Sequence, residues 1–189
     1  RMALDLAEVI TKLGLAKPIL VGNSMGAACI WAYMSLYGDR DLDKVVIVDQ
    51  SPKMIADETW SFGFKDLTWD SFPLQLRLDF GKATYRAIDT DTADVVAQVK
   101  QQSPFDRQLD LPLLVDHAFQ DWRDVIRQSM RPYLVIAGEK SPFFNPVFAP
   151  IVAQMGADGH AQVIEEAGHI VMAEQSALFN QIVLAFIKA

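Results

Sequence analysis

The pentapeptide Gly22-Asn23-Ser24-Met25-Gly26 sets one hydroxyl between two glycines, directly after the apolar run Pro18–Val21 and directly before a second apolar stretch. A serine hydroxyl is a weak nucleophile in water. It becomes a strong one when held at a fixed, exposed point beside a base and beside N–H donors that stabilise an oxyanion. A sharp strand-to-helix turn meets these demands, because it strains the backbone of the nucleophile and admits only small neighbours. Gly22 and Gly26 lack side chains, and Ala27 and Ala28 keep the start of the following helix slim. The N-terminus of that helix aims backbone N–H groups at Ser24, so the N–H of Met25 is the expected oxyanion donor.

Such a serine needs a base further along the chain. There are three histidines, His117, His160 and His169. His117 falls in a helical stretch beside charged neighbours and is expected at the surface. His160 follows Ala157-Asp158-Gly159 and reads as a loop residue. His169 sits on a loop between the last strand and the last helix, and the preceding Gly168 leaves room for its ring to swing toward a nucleophile. His169 is therefore the expected base. The histidines are not spaced with carboxylates or cysteine as metal ligands, so neither a metal nor any other cofactor is expected.

The elements that must place these groups follow from periodicity. Met2, Leu6, Val9, Ile10 and Leu13 recur at helical spacing, and Gly14 stands where a helix would stop. Pro18–Val21 reads as a short buried strand. Ala27–Tyr37 is apolar almost all round, which suits a helix in the middle of a domain, and Gly38–Asp43 is a polar turn. Val45–Val48 is a continuous β-branched run, the mark of a parallel strand covered on both faces. Tyr133–Ala137 is a second such strand and Gln162–Ile164 a shorter one. Leu178, Phe179, Ile182, Val183, Phe186 and Ile187 form one stripe of a closing helix. This alternation predicts the α/β class, a mostly parallel sheet with helices on both faces. Between Pro52 and about Gln128 the pattern changes. That segment is rich in aromatics, Trp60, Phe64, Trp69 and Phe80 among them, with helical stretches at Asp91–Gln101 and Val115–Arg127 and no clear strand. The expected division is a core of residues 1–52 and 129–189, with residues 53–128 inserted as a helical cap or lid.

Composition bounds the functional classes. A chain of 189 residues with 51% apolar and 22% charged residues supports one packed domain. A formal net charge of -7 disfavours nucleic acid and anionic membrane surfaces as partners. No apolar run reaches the ~18 residues of a membrane span. The single cysteine, Cys29, excludes an internal disulfide and fits a reducing or cysteine-indifferent compartment. With no signal peptide legible in Arg1–Ala7, a cytoplasmic location is expected.

At "VGNSMGA", "KVVIVDQSP", "RPYLVIAGEKSPFF" and "AGHIVMAEQSALFNQIVLAFI", in that order, the chain resembles the α/β-hydrolase superfamily, more narrowly its capped ester- and lactone-cleaving members. The resemblance spans nearly the whole chain. It implies Ser24 as nucleophile, His169 as general base and acid, and the chain order serine, acid, histidine. In the superfamily the acid most often stands third after the glycine that closes the strand Tyr133–Ala137. That residue here is Ser141, which carries no charge. The superfamily's other position for the acid, at the end of the strand after the elbow helix, is Asp49. The resemblance thus implies Asp49 as the acid, with Glu139, on the same loop as Ser141, as the alternative. The superfamily's earlier strands, one of whose loops carries a second oxyanion donor, have no counterpart before Ser24. The chain is accordingly expected to form the C-terminal part of the fold and to need the missing N-terminal part, in cis or as a second chain.

The implied activity is hydrolysis of a small-molecule carboxylic ester or lactone by Ser24, His169 and Asp49 through an acyl-enzyme, with the aromatic insertion shaping a hydrophobic pocket. Two alternatives stand beside it. The same three residues support perhydrolysis and hydrolysis of amide or carbon–carbon bonds. Ser141 in the usual acid position also suits a non-catalytic, hydrolase-like module that binds a ligand.

Overall fold

Continuous β-branched runs can be buried on both sides only if helices cover both faces of the sheet they form. The computed structural model, which describes all 189 residues, Arg1–Ala189, meets that requirement. Four strands, β1 (Leu20–Asn23), β2 (Val45–Val48), β3 (Tyr133–Gly138) and β4 (Gly159–Ile164), lie side by side in sequence order, and every pairing is parallel. All residues of β2 and β3 are buried. Successive side chains of a strand point to opposite faces, and the core divides accordingly. Val45 and Ile47 join a cluster of 21 buried residues with Trp31, Tyr133 and Phe148. Val46 and Val48 join a second cluster with Leu134, Ile136, Phe179 and Val183.

The first cluster is roofed by α1 (Met2–Lys12), α2 (Met25–Tyr37) and, after β3, by α7 (Phe148–Ala153). Trp31 of α2 donates from Nε1 to the hydroxyl of Tyr133 on β3 at 2.7 Å, so this helix and strand are joined by a buried polar contact as well as by packing. The second cluster lies under α9 (Ser176–Lys188), which follows the short α8 (Val171–Glu174). Between β2 and β3 the chain adds no strand to the sheet and forms α3 (Phe72–Gln75), α4 (Thr90–Gln102), α5 (Arg107–Phe119) and α6 (Arg123–Gln128). Of these, α6 packs against α2, and its Ile126 is fully buried in the first cluster. No helix is long and apolar enough to cross a membrane.

Three local expectations are corrected. The strand read at Pro18–Val21 lies at Leu20–Asn23, so it runs right up to Ser24. The helical stretch read at Val115–Arg127 is two helices, with α5 starting at Arg107. Between them the backbone turns away to pair with the chain after β2: Trp122 N–H donates to the Pro52 carbonyl and Asp121 bridges to Lys53. His160, read as a loop residue, lies on β4. That strand is mostly exposed along its length, so it carries little apolar signal before Ile164.

Candidate active site

The sequence Gly22–Gly26 folds into a sharp turn from β1 into α2, and Ser24 stands at its apex. Its backbone sits at φ 54, ψ −129, a region that L residues avoid and that persists only where the surroundings enforce it. Ser24 N–H donates to Val48 of the neighbouring strand at 3.0 Å, and the Ser24 carbonyl accepts from Ala27 at 2.8 Å. The hydroxyl makes no capping hydrogen bond. Met25 is the first residue of α2, so its N–H has no acceptor within the helix and lies at the positive end of the helix dipole. The crowding of the turn falls on Gly22, where a β-carbon would lie 2.7 Å from the backbone of Gly26 and Ala27. At Gly26 a β-carbon would meet nothing within 4 Å. The expectation that both glycines are sterically required therefore holds for Gly22 alone.

Asp49 follows β2 directly, also with a positive φ, 47°. It is wholly buried, yet three donors converge on it. Gly138 N–H donates to Oδ1 at 3.0 Å, the Ser141 hydroxyl donates to Oδ2 at 2.6 Å, and His169 Nδ1 lies 2.7 Å from Oδ2. A carboxylate at that distance places the ring proton on Nδ1 and leaves Nε2 as the basic nitrogen. His169 is only 5% exposed. Its N–H donates to Ala83 at 2.9 Å, and its carbonyl accepts from the Asn23 side chain at 3.2 Å. Phe143 stands edge-on to its ring, centroids 4.6 Å apart. Ser24 and His169 line one cavity, and no hydrogen bond joins them there. Catalytic hydrogen bonds of this kind commonly tighten only when substrate binds.

Glu139 turns elsewhere. It accepts from Glu166 N–H at 3.1 Å and from Lys140 Nζ at 3.3 Å. These bonds, the Glu166 amide first, hold its carboxyl below the usual range. The structure thus brings His169 to Asp49 and not to Glu139.

Sequence reasoning missed four contributors. Asn23 ties the elbow to the histidine loop by donating to both Val48 and His169 carbonyls. Ser141 donates to Asp49. Glu174, 8% exposed, accepts from Tyr85, Arg86, Gly168 and Ile170 N–H groups at 2.6–3.1 Å, and so clamps the inserted segment onto the histidine loop. The one hint of this was a carboxylate inside an apolar stretch. The clamp also explains Gly168, where a β-carbon would lie 2.6 Å from Tyr85 N; the glycine serves close packing rather than freedom of the ring. The fourth is His117, corrected from a surface residue to a buried one, 7% exposed on the cavity wall. Burial pushes its imidazole below the ordinary value, which the nearby Gln120 side chain opposes. Its Nδ1 has no hydrogen-bond partner. Asp116, next to it in the chain, is exposed, and such charged neighbours hid the burial of His117 from the sequence.

The cavity measures about 390 Å³ and is mostly apolar, 13 of its 19 lining residues being hydrophobic. Phe64, Phe72, Phe80 and Phe105 come from the inserted segment, and Phe143 and Phe144 from the loop after β3. Arg107 is its cation, with its guanidinium 4.8 Å from the Phe80 ring and Nη1 donating to Leu76. No cluster of three or more His, Cys, Asp or Glu side chains is placed to hold a metal ion. An imidazole backed by a buried carboxylate, lining the same cavity as a strained serine at a helix N-terminus, is an arrangement suited to acyl transfer.

Comparison with known proteins agrees in fold. The profile described as "Alpha/beta hydrolase family" matches residues 1–182. A curated relative, the pimeloyl-[acyl-carrier protein] methyl ester esterase of Nitrosospira multiformis, is 22% identical over 177 residues, 88% of this chain; the chain spans 66% of that relative's length. Among solved structures, an esterase from Exiguobacterium antarcticum superposes with a TM-score of 0.84 at 19% identity, covering 99% of this chain and 72% of the other. A bromoperoxidase from Bacillus anthracis superposes with a TM-score of 0.77 at 20% identity, covering 99% and 73%.

Proposed function

Since the chain belongs to the alpha/beta hydrolase family, we propose that it is a serine hydrolase that cleaves a carboxylic ester or lactone. His169 Nε2 takes the proton of Ser24, whose oxygen attacks the carbonyl and forms a tetrahedral oxyanion. Met25 N–H donates to that oxyanion. Collapse expels the alcohol, protonated by His169, and leaves an acyl-enzyme that water cleaves by the same route in reverse. Asp49 holds the imidazole in the required tautomer and stabilises the imidazolium. The observation that carries this reading is the buried pair of Asp49 Oδ2 and His169 Nδ1 at 2.7 Å, with His169 on the wall of the cavity that Ser24 also lines.

Residues 53–128 act in this reading as the cap, and its phenylalanines select a hydrophobic substrate. The curated relative is a methyl ester esterase, which supports ester over amide or carbon–carbon bonds. The site works with a further segment, in cis or from a second chain, that pairs with β1. That strand is a sheet edge with Val21 51% exposed, and an uncovered apolar edge invites association. The function is tested by Ser24→Ala, which is expected to abolish hydrolysis of short p-nitrophenyl esters and leave the melting temperature nearly unchanged. Retained turnover in that variant overturns the reading.

A further inference from the structure

A buried carboxylate is tolerated only when hydrogen-bond donors surround it. Asp49 is 0% exposed, so its donors decide where it sits. Ser141 is the shortest of these contacts, 2.6 Å from its Oγ to Oδ2, in the range of a charge-assisted O–H···O⁻ bond. A serine hydroxyl ordinarily rotates to suit its surroundings. Here the Phe143 and Phe144 N–H groups both donate to Ser141 Oγ at 3.3 Å. With its two lone pairs so engaged, the hydroxyl has one proton, and that proton is directed at Asp49.

The oxygen that receives it is the one that faces the imidazole, since His169 Nδ1 also lies on Oδ2 at 2.7 Å. Hydrogen bonds thus run in series from the amides of residues 143 and 144 through Ser141 to Asp49 Oδ2, where they meet the bond that His169 donates, and bonds in series polarise one another. The same loop reaches the base by a second path, because the Phe143 ring packs edge-on against His169. A serine where the superfamily most often has its acid is therefore built into the site as a donor.

From this we infer that Ser141 is a positioning residue that acts through Asp49, fixing the orientation of the carboxylate and of the oxygen that faces His169. The inference rests on Asp49 being the acid of the proposed hydrolase. Ser141→Ala removes the proton donor. The acid then loses its hold, and kcat is expected to fall about 10- to 100-fold, the size expected of one hydrogen bond to a charged group, while KM changes less than about twofold. Oδ2 then keeps His169 as its one donor, and the carboxylate holds the imidazolium more tightly. The acidic limb of the kcat/KM profile, which reports the free enzyme's base, should therefore move to higher pH. Ser141→Thr keeps the hydroxyl and should restore both the rate and the pH limb.

The experiment is the pH dependence of kcat and kcat/KM on one p-nitrophenyl ester for wild type, Ser141→Ala, Ser141→Thr and Asp49→Asn, with a melting temperature for each. A role in folding alone would lower the melting temperature of Ser141→Ala without moving its pH limb, and that result overturns the inference. So does an alanine variant with wild-type rate and profile while Asp49→Asn is crippled. If Asp49→Asn is itself nearly fully active, the acid assignment falls first, and the role of Ser141 falls with it.

Discussion

The exchange of Asp49 for asparagine tests the acid with a change of one atom. The carboxylate accepts from Gly138 N–H on Oδ1, and from the Ser141 hydroxyl and His169 Nδ1 on Oδ2. Asparagine has one oxygen for these two sites. If its oxygen faces His169, the amide NH₂ is set against the Gly138 N–H, donor against donor in a buried place. If it is turned round, the NH₂ faces His169 and Ser141, and the ring answers by moving its proton to Nε2. That tautomer cannot accept a proton from Ser24. In both cases the imidazolium loses its counter-charge. The same exchange in the serine-protease triad lowers turnover about 10⁴-fold. We expect a loss of roughly 10²–10⁴ in kcat here, which is ~2.7–5.4 kcal/mol of barrier. One mismatched buried donor also costs about 1–3 kcal/mol of stability, so the assay belongs well below the melting temperature. The measurement is steady-state turnover of one ester at one pH for Asp49→Asn and for Glu139→Gln. Glu139 makes its contacts with Glu166 and Lys140, and its exchange is expected to cost less than about tenfold. A crippled Glu139→Gln beside a mild Asp49→Asn would refute the reasoning.

Two further outcomes follow from buried groups. Glu174→Gln turns an NH₂ toward backbone N–H groups, four of which now donate to the carboxylate; it should lower stability to urea by about 1–3 kcal/mol and depress kcat by loosening the histidine loop, and a variant as stable as wild type would show the clamp to be slack. His117→Leu removes a ring nitrogen that has no partner and should stabilise the protein by about 1 kcal/mol near pH 7. Because burial depresses the folded-state value of His117, the unfolded chain takes up a proton first as pH falls below about 6.5. Wild type therefore loses stability through that window, whereas the leucine variant is spared this loss, so its advantage should widen between pH 7 and pH 5.5; an advantage that narrows would contradict the burial of that ring.

What was legible beforehand was local. The elbow at Gly22–Gly26 announces itself because a nucleophile on a tight turn needs its small neighbours in adjacent positions. The two central strands announce themselves because Val45–Val48 and Tyr133–Ala137 are apolar on both faces. Long-range choices were not legible. Asp49 and His169 are 120 positions apart, and the preference for Asp49 over Glu139 rested on the family resemblance, not on any local pattern. His117 misled because its neighbours on the helix are charged, and only the packing of α5 over the cavity decides which side is buried. Asn23, Ser141 and Glu174 act through backbone groups remote in sequence, and such contacts leave no periodic trace. β4 was underestimated for a related reason, since an exposed edge strand need not alternate clearly.

The central claim is that Ser24 is a nucleophile activated by His169. The direct measurement is mass spectrometry of the protein after treatment with a fluorophosphonate probe, with the adduct located by peptide mapping. The account predicts a single stoichiometric adduct on Ser24 in wild type, none in Ser24→Ala, and labelling slowed by orders of magnitude in His169→Ala. No adduct on folded wild-type protein, or an adduct on another residue, would contradict it.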